Sequence, residues 1–333
     1  MAKTVFFLMV AAWCSSLCCM GCAMDPAVVS IWGGDLTVPK LVKFDVVSEN
    51  ELAAAFTAPV TVSRAGVVLP DSGSESLPVS WRTSPDGLQV AFSVADQIGI
   101  GIPAVFSATV KDAHGNTLSF DIPYTGFNNR VPVMKINEIR TEYSKPKVEY
   151  VELYVLKGGN LSGVAIQNPM NAVKPVYEFP AVEVAAGEYI VYHLRSVEEG
   201  LVDETGTVNA SAGTDARAGA RDFWDNLTKS PLKKTNALLL RERNGGPIMD
   251  AFLSAETDVT VWPNDAVRLA AEEAALSGAW KPGALVSDAF CSTGTTVTRT
   301  IGRNERSADT DLAADWKICP TSKCSPGETN VVP

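Results

Sequence analysis

Along most of the chain, apolar and polar residues alternate in short runs. Leu41-Val42-Lys43-Phe44-Asp45-Val46-Val47, Val60-Thr61-Val62, Leu88-Gln89-Val90-Ala91-Phe92-Ser93-Val94 and Ala104-Val105-Phe106-Ser107-Ala108-Thr109-Val110 are examples. A period of two puts every second side chain on one face, the mark of a half-buried strand. Ser84-Pro85-Asp86-Gly87 and His114-Gly115-Asn116 supply turns between such runs. Regular short strands between turn signals predict a β-sandwich. The polar stretch 126–132, with Gly and Pro, reads as a linker, and alternation resumes in Val133–Arg140, Lys147–Val155 and Asn160–Ile166. Here Ile136, Ile139, Val151 and Leu153 are expected to line the core, with Lys135, Glu152 and Tyr154 outward. Glu138, Glu149 and Glu152 are then expected to be solvated or paired with Arg140, Lys147 or Arg303. A surface pair of that kind contributes about 0–1 kcal/mol.

Two stretches break the pattern. Residues 195–234 are rich in Gly, Ala, Thr and Asp and read as an insertion. In 265–280 the apolar residues Ala266, Leu269, Ala270, Ala274 and Leu276 fall near helical spacing. Asn264 or Asp265 is the expected N-cap of one amphipathic helix and Pro282-Gly283 its stop. The fold class expected is therefore all-β: two sandwich domains in tandem, the second with a helical insertion.

The N-terminus has a different character. Lys3 precedes an apolar run, Val5 to Trp13, too short to span a bilayer. Ser15-Ser16-Leu17-Cys18-Cys19-Met20-Gly21-Cys22 follows. The stretch resembles a bacterial lipobox, which implies a signal peptide over 1–21 and an acylated Cys22 at the mature N-terminus. The mature chain of about 310 residues is long enough for two domains. It carries 27 basic residues against 38 acidic, a poor match for nucleic acid or anionic headgroups. Membrane attachment would then rest on acyl chains, at about 0.8 kcal/mol per buried methylene. Cys291, Cys319 and Cys324 remain in the body, so an oxidising compartment predicts one disulfide and one thiol left over, with the pairing open.

Two family resemblances follow from quoted phrases. Phe44-Asp45-Val46-Val47-Ser48-Glu49-Asn50-Glu51-Leu52 and Val110-Lys111-Asp112-Ala113-His114-Gly115-Asn116-Thr117-Leu118 resemble segments of bacterial immunoglobulin-like domains, over 22–130. Across 133–330, the strand phrases Ile136-Asn137-Glu138-Ile139, Glu149-Tyr150-Val151-Glu152-Leu153-Tyr154 and Asn160-Leu161-Ser162-Gly163-Val164-Ala165-Ile166 resemble the lamin-tail domain family. So do Gly187-Glu188-Tyr189-Ile190-Val191, the hairpin Leu238 to Ala251, Ile301-Gly302-Arg303, Asp315-Trp316 and Ser325-Pro326-Gly327, in this order. Val164 stands where that family usually has Trp.

Candidate chemistry is sparse. His114 and His193 are the only histidines, and neither sits in a nucleophile elbow or a zinc-helix signature. No phosphate-binding glycine loop opens a helix. Asp203, Asp215, Asp222 and Asp225, and Asp309, Asp311 and Asp315, are candidate calcium ligands by type, but their spacing fits no EF-hand loop; no metal and no cofactor is expected. Trp224 and Phe223 are the candidate binding residues. The expected function is that of a lipid-anchored protein of the bacterial cell envelope, in the periplasm or on the outer-membrane leaflet. It binds or adheres to an envelope or extracellular macromolecule without catalysis. A structural spacer and a secreted hydrolase, or its accessory subunit, are the alternatives.

Overall fold

The structure, a computed structural model, describes residues 36–70, 76–228, 232–281, 283–304 and 309–333. The leader and Cys22 lie outside the described residues. The chain divides into two compact units. The first ends at Gln97 and resumes over Pro103–Tyr124; the second takes Ile98–Ile102 and Thr125–Pro333.

Seven strands build the first unit: β1 (Leu41–Val46), β2 (Glu51–Phe56), β3 (Thr61–Val68), β4 (Ser76–Thr83), β5 (Gln89–Val94), β6 (Pro103–Lys111) and β7 (Thr117–Thr125). Their order is β1-β2-β5-β4-β3-β6-β7. The first four and last three strands repeat the pairing of a constant-type immunoglobulin sandwich, and β3–β4 pairing from Gly66–Val68 to Ser76–Pro78 joins the halves into one curled sheet. Alternation works as expected: Ala104, Phe106, Ala108 and Val110 of β6 are buried. Phe106 packs against Phe44, Phe92 and Phe120 at ring separations of 5.4, 4.7 and 6.1 Å. In the β6–β7 hairpin Gly115 takes the positive φ, 86°. Asn116 instead donates its Nδ2 to Asp112 Oδ2 at 2.8 Å.

The second unit is a sandwich of two mixed sheets. One has the order β15-β14-β9-β8-β19-β20, built from β8 (Val133–Arg140), β9 (Tyr150–Lys157), β14 (Tyr189–His193), β15 (Ala220–Trp224), β19 (Ile301–Arg303) and β20 (Trp316–Ile318). The other has the order β12-β11-β16-β17-β18, built from β11 (Ala165–Gln167), β12 (Val176–Glu178), β16 (Asn236–Arg241), β17 (Ile248–Ala255) and β18 (Phe290–Cys291). A short pair, β10 (Gly159–Asn160) and β13 (Glu183–Val184), stands apart. The β14–β15 and β17–β18 pairs run parallel, unlike the antiparallel sheets of an immunoglobulin domain. Met134, Ile136, Ile139, Val151, Leu153, Ile190, Leu238, Leu240 and Phe252 form the apolar core between the sheets, with Trp316 sealed at one end.

Two expectations are corrected here. Helix α1 (Asp265–Ser277) is capped by Asn264, whose side chain accepts from Val267 N at 3.0 Å, but it stops at Gly278, φ 82°, ahead of Pro282-Gly283. Its buried face is Val267, Ala270, Ala271 and Ala274, while Leu269 and Leu276 are 55% and 88% exposed. Small side chains face inward because the helix lies close on β16 and β17. The second correction concerns the acidic strand positions. Glu138 and Glu152 are fully buried and Glu149 nearly so, because the outer face of the six-stranded sheet is itself covered. Residues 195–228 cross it and contribute β15, while 319–330 lie back over β8 and β9.

Candidate functional site

Alternation along β8, β9, β14 and β15 puts Glu138, Arg140, Tyr150, Glu152, His193 and Asp222 on that covered outer face. Together they form a buried polar layer. β8 and β9 are in register so that Glu138 stands opposite Glu152. Two such carboxylates repel, and each is clasped by donors. Glu138 accepts from the Thr300 hydroxyl and from Ser325 N at 3.0 Å. Glu152 accepts from Asn137 Nδ2 at 2.8 Å and Gly327 N at 2.6 Å. Asn330 closes the strap by donating Nδ2 to Asn137 O (2.9 Å) and Arg303 O (3.0 Å). Burial pushes the Glu138 carboxyl above its ordinary range, against the Thr300 and Ser325 hydrogen bonds.

Arg140, fully buried, donates to Asp215 Oδ2 at 2.7 Å and lies over the Tyr150 ring at 4.7 Å. Asp215 also accepts from Val148 N at 2.6 Å. His193 Nε2 sits 2.7 Å from Asp222 Oδ1. A carboxylate acceptor there fixes the tautomer with the proton on Nε2. The Trp224 ring stacks on the imidazole at 3.8 Å and 8°, and burial lowers the His193 pKa despite Asp222. The open edge of β15 is capped by acids: Trp224 N donates to Asp203 Oδ1 (2.7 Å) and Asp222 N to Glu204 Oε2 (3.1 Å). Edge capping of this kind blocks further strand pairing.

A second polar knot closes the other end of β8. Arg303 donates to Asp250 Oδ2 (2.7 Å) and to Ile136 O (2.9 Å), and covers the Trp316 ring at 4.5 Å. Burial holds Asp250 at about 6, against the attraction of Arg303.

The sequence candidates therefore part company. Phe223 is a core residue, fully buried; as a parallel partner of β14 its strand must send alternate residues inward, which removes it as a binding residue. Trp224 is half-buried on His193. Asp203, Asp215 and Asp222 serve the polar layer. Asp225 holds Lys174 Nζ (2.6 Å) and Tyr192 Oη (2.8 Å), Asp309 faces Arg303, Asp311 faces Lys281 and Asp315 faces Thr310. Among the described residues no cluster of three His, Cys, Asp or Glu is placed to hold a metal. Cys319 is buried, Cys324 half-buried and Cys291 exposed, and in this structure all three stand in the reduced form. His114 sits in the exposed β6–β7 turn. Ser325, Asn330 and Glu204 join the site without a strong signal in the sequence: the Ser325-Pro326-Gly327 phrase points to the strap, and nothing points to Glu204.

Solvent reaches this unit through an open groove of about 630 Å³. Tyr143, Met170, Arg195, Lys233, Lys234 and Val261 are among its walls. Arg195 lies over the Tyr143 ring at 4.4 Å and grips Glu149 through two bonds of 2.7 and 2.9 Å. Lys234 Nζ is 3.2 Å from Glu142. Lys233 is exposed at the rim.

Fold and site together define a class: an all-β protein of two compact units, the second a sandwich with one sheet face sealed by a polar layer. Residues 132–318, more than half of the chain, match the family described as "TP_1001_2nd: protein second domain", and the chain belongs to that family. A relative from Treponema pallidum (strain Nichols), named "Uncharacterized protein", is 30% identical over 246 residues. The match covers 71% of this chain and 62% of the relative, so the chain spans less than two thirds of that protein's length. Among solved structures, the N-terminal part of the bacterial S-layer protein SbsC is similar at 16% identity over 40% of this chain and 35% of that one, with a TM-score of 0.25. A DUF4876 family protein from Bacteroides thetaiotaomicron VPI-5482 is 13% identical over 89% and 96%, with a TM-score of 0.30. Likeness at that level carries no argument about this chain.

Proposed function

We propose that this protein is a lipid-anchored envelope protein that binds a macromolecular partner through its second unit and does not turn it over. One observation carries the reading. His193, Asp222 and Glu138, the groups suited to acid–base chemistry, are 0%, 1% and 0% exposed, whereas the groove beside Tyr143 and Lys233 is open to solvent. A general acid or base must reach the proton it moves; these cannot reach solvent without unfolding their cover. The groove offers an aromatic ring, a thioether and paired charges, a surface suited to contact. The leader phrase ending at Cys22 supports the anchor. Among the described residues no helix is long and apolar enough to cross a membrane.

Two experiments test the two halves of the reading. Cys22→Ser should leave the protein either in the aqueous phase or with its leader uncleaved; a cleaved variant that still partitions into detergent rejects the anchor. A photo-crosslinker at Lys233 should capture a partner in the intact envelope, and Tyr143→Ala should weaken that capture at least tenfold. No adduct at Lys233 under conditions that preserve the envelope leaves the spacer reading in place of this one.

A further inference from the structure

We propose that Cys319 and Cys324, both reduced in this structure, oxidise to a disulfide that staples the C-terminal strap to the six-stranded sheet, leaving Cys291 as a free thiol. The spacing of three cysteines left every pairing open; the geometry separates them. Lys323 N donates to Pro320 O at 3.0 Å, closing a turn over Pro320–Lys323. That turn folds the chain back over four residues, with Cys319 and Cys324 at its two ends; a disulfide spans Cα atoms about 4.4–6.8 Å apart. Cys319 N donates to Thr300 O (2.9 Å) and Ser322 N to Thr298 O (2.8 Å), which fixes the turn against the chain entering β19.

Both thiols lie against the polar layer. Cys319 lies beside Gly302, where an added Cβ would meet its Sγ at 3.0 Å, and beside Thr300, the partner of Glu138. Arg140 Nη2 donates to Cys324 Sγ at 3.5 Å, and the next residue, Ser325, clasps Glu138. Cys291 is remote in kind: exposed on β18 of the other sheet, 3.3 Å from Thr257 Oγ1.

The oxidant is a small or protein disulfide. Cys324, half exposed, attacks it first as a thiolate, forming a mixed disulfide and releasing one thiolate of the oxidant. Cys319, whose thiol burial pushes up to about 11, then gives its proton to solvent base. It attacks Cys324 Sγ and expels the second thiolate. Two thiols lose two electrons and two protons; the oxidant's disulfide becomes two thiols.

The test uses the folded full chain with oxidised glutathione, alkylation of remaining thiols and digestion without reduction by a glutamate-specific protease. The peptide holding Cys319 and Cys324 should be unalkylated and lighter by two hydrogens, with Cys291 alkylated. The closed form should melt about 5 °C above Cys324→Ser. Alkylation of both thiols, a lasting glutathione adduct on Cys324, or a link to Cys291 overturns the pairing. The result is independent of the groove and of Cys22.

Discussion

At the scale of the residue, burial and charge oppose each other in ways that pH can read. Asp250 has an ordinary value of 3.8 and is held at about 6 in the fold. The folded form therefore keeps a proton that the unfolded chain releases. This contribution is complete below about pH 3.8 and drains as pH rises through about 6. Comparing urea unfolding of wild type with Asp250→Asn from pH 4 to 7, we expect the wild-type advantage to shrink by about 2 kcal/mol. A constant difference would contradict the burial argument. His193 has the opposite sign. Its folded pKa lies below the ordinary 6.5, so its contribution is present above pH 6.5 and lost on acidification. Relative to His193→Gln, wild type should lose stability between pH 7 and 5. The groups facing the ring are Asp222 on β15, Tyr150 on β9, Arg140 on β8, and Asp215 and Trp224 beside them. None of this was legible in the sequence, where His193 sits in no recognised catalytic signature. Its partner Asp222 comes 29 residues later, inside a stretch that looked like an insertion.

At the scale of the element, alternation located the strands well, since a strand with one face in a core must alternate. It misjudged their outer faces, since a sheet covered on both sides buries its polar residues too. The quoted strand phrases contained the answer in another form. The Glu of Ile136-Asn137-Glu138-Ile139, the Asp ending the Leu238–Ala251 hairpin, the Arg after Ile301-Gly302 and the Ser325-Pro326-Gly327 phrase are the residues that clasp one another. In this chain Ser325 clasps Glu138 and Arg303 clasps Asp250, so these phrases mark buried charge satisfied within the fold. The helix teaches the converse. Hydrophobic spacing chose Leu269 and Leu276, but the contact distance to β16 and β17 selects alanines. Ala274→Leu should therefore cost about 1–3 kcal/mol by overpacking, while Leu276→Ala should stay within about 0.5 kcal/mol. Chemical denaturation of the two variants side by side checks the assignment, and a reversed order would place the helix the other way round.

At the scale of the whole chain, the second unit is completed by its last residues. Ser325, Gly327 and Asn330 act on Glu138, Glu152 and Asn137 from 187, 175 and 193 positions away. No local pattern announces contacts of that range; in the sequence the Ser325-Pro326-Gly327 phrase marks the tail only as the close of the second domain. Its removal leaves two buried carboxylates facing each other across β8 and β9 without their backbone donors. Each lost donor to a charged, buried acceptor costs about 1–3 kcal/mol, so truncation after Cys319 should lower stability by at least about 3 kcal/mol. Water would enter over β8 and β9, and amide exchange there should rise well before the β16–β17 hairpin follows. Removing only Val331–Pro333, whose side chains are exposed or half-buried, should change stability by no more than about 0.5 kcal/mol. A gradual loss across the two truncations would mean that the tail contributes general packing. A sharp step at Asn330 is what a clasp on the paired glutamates requires.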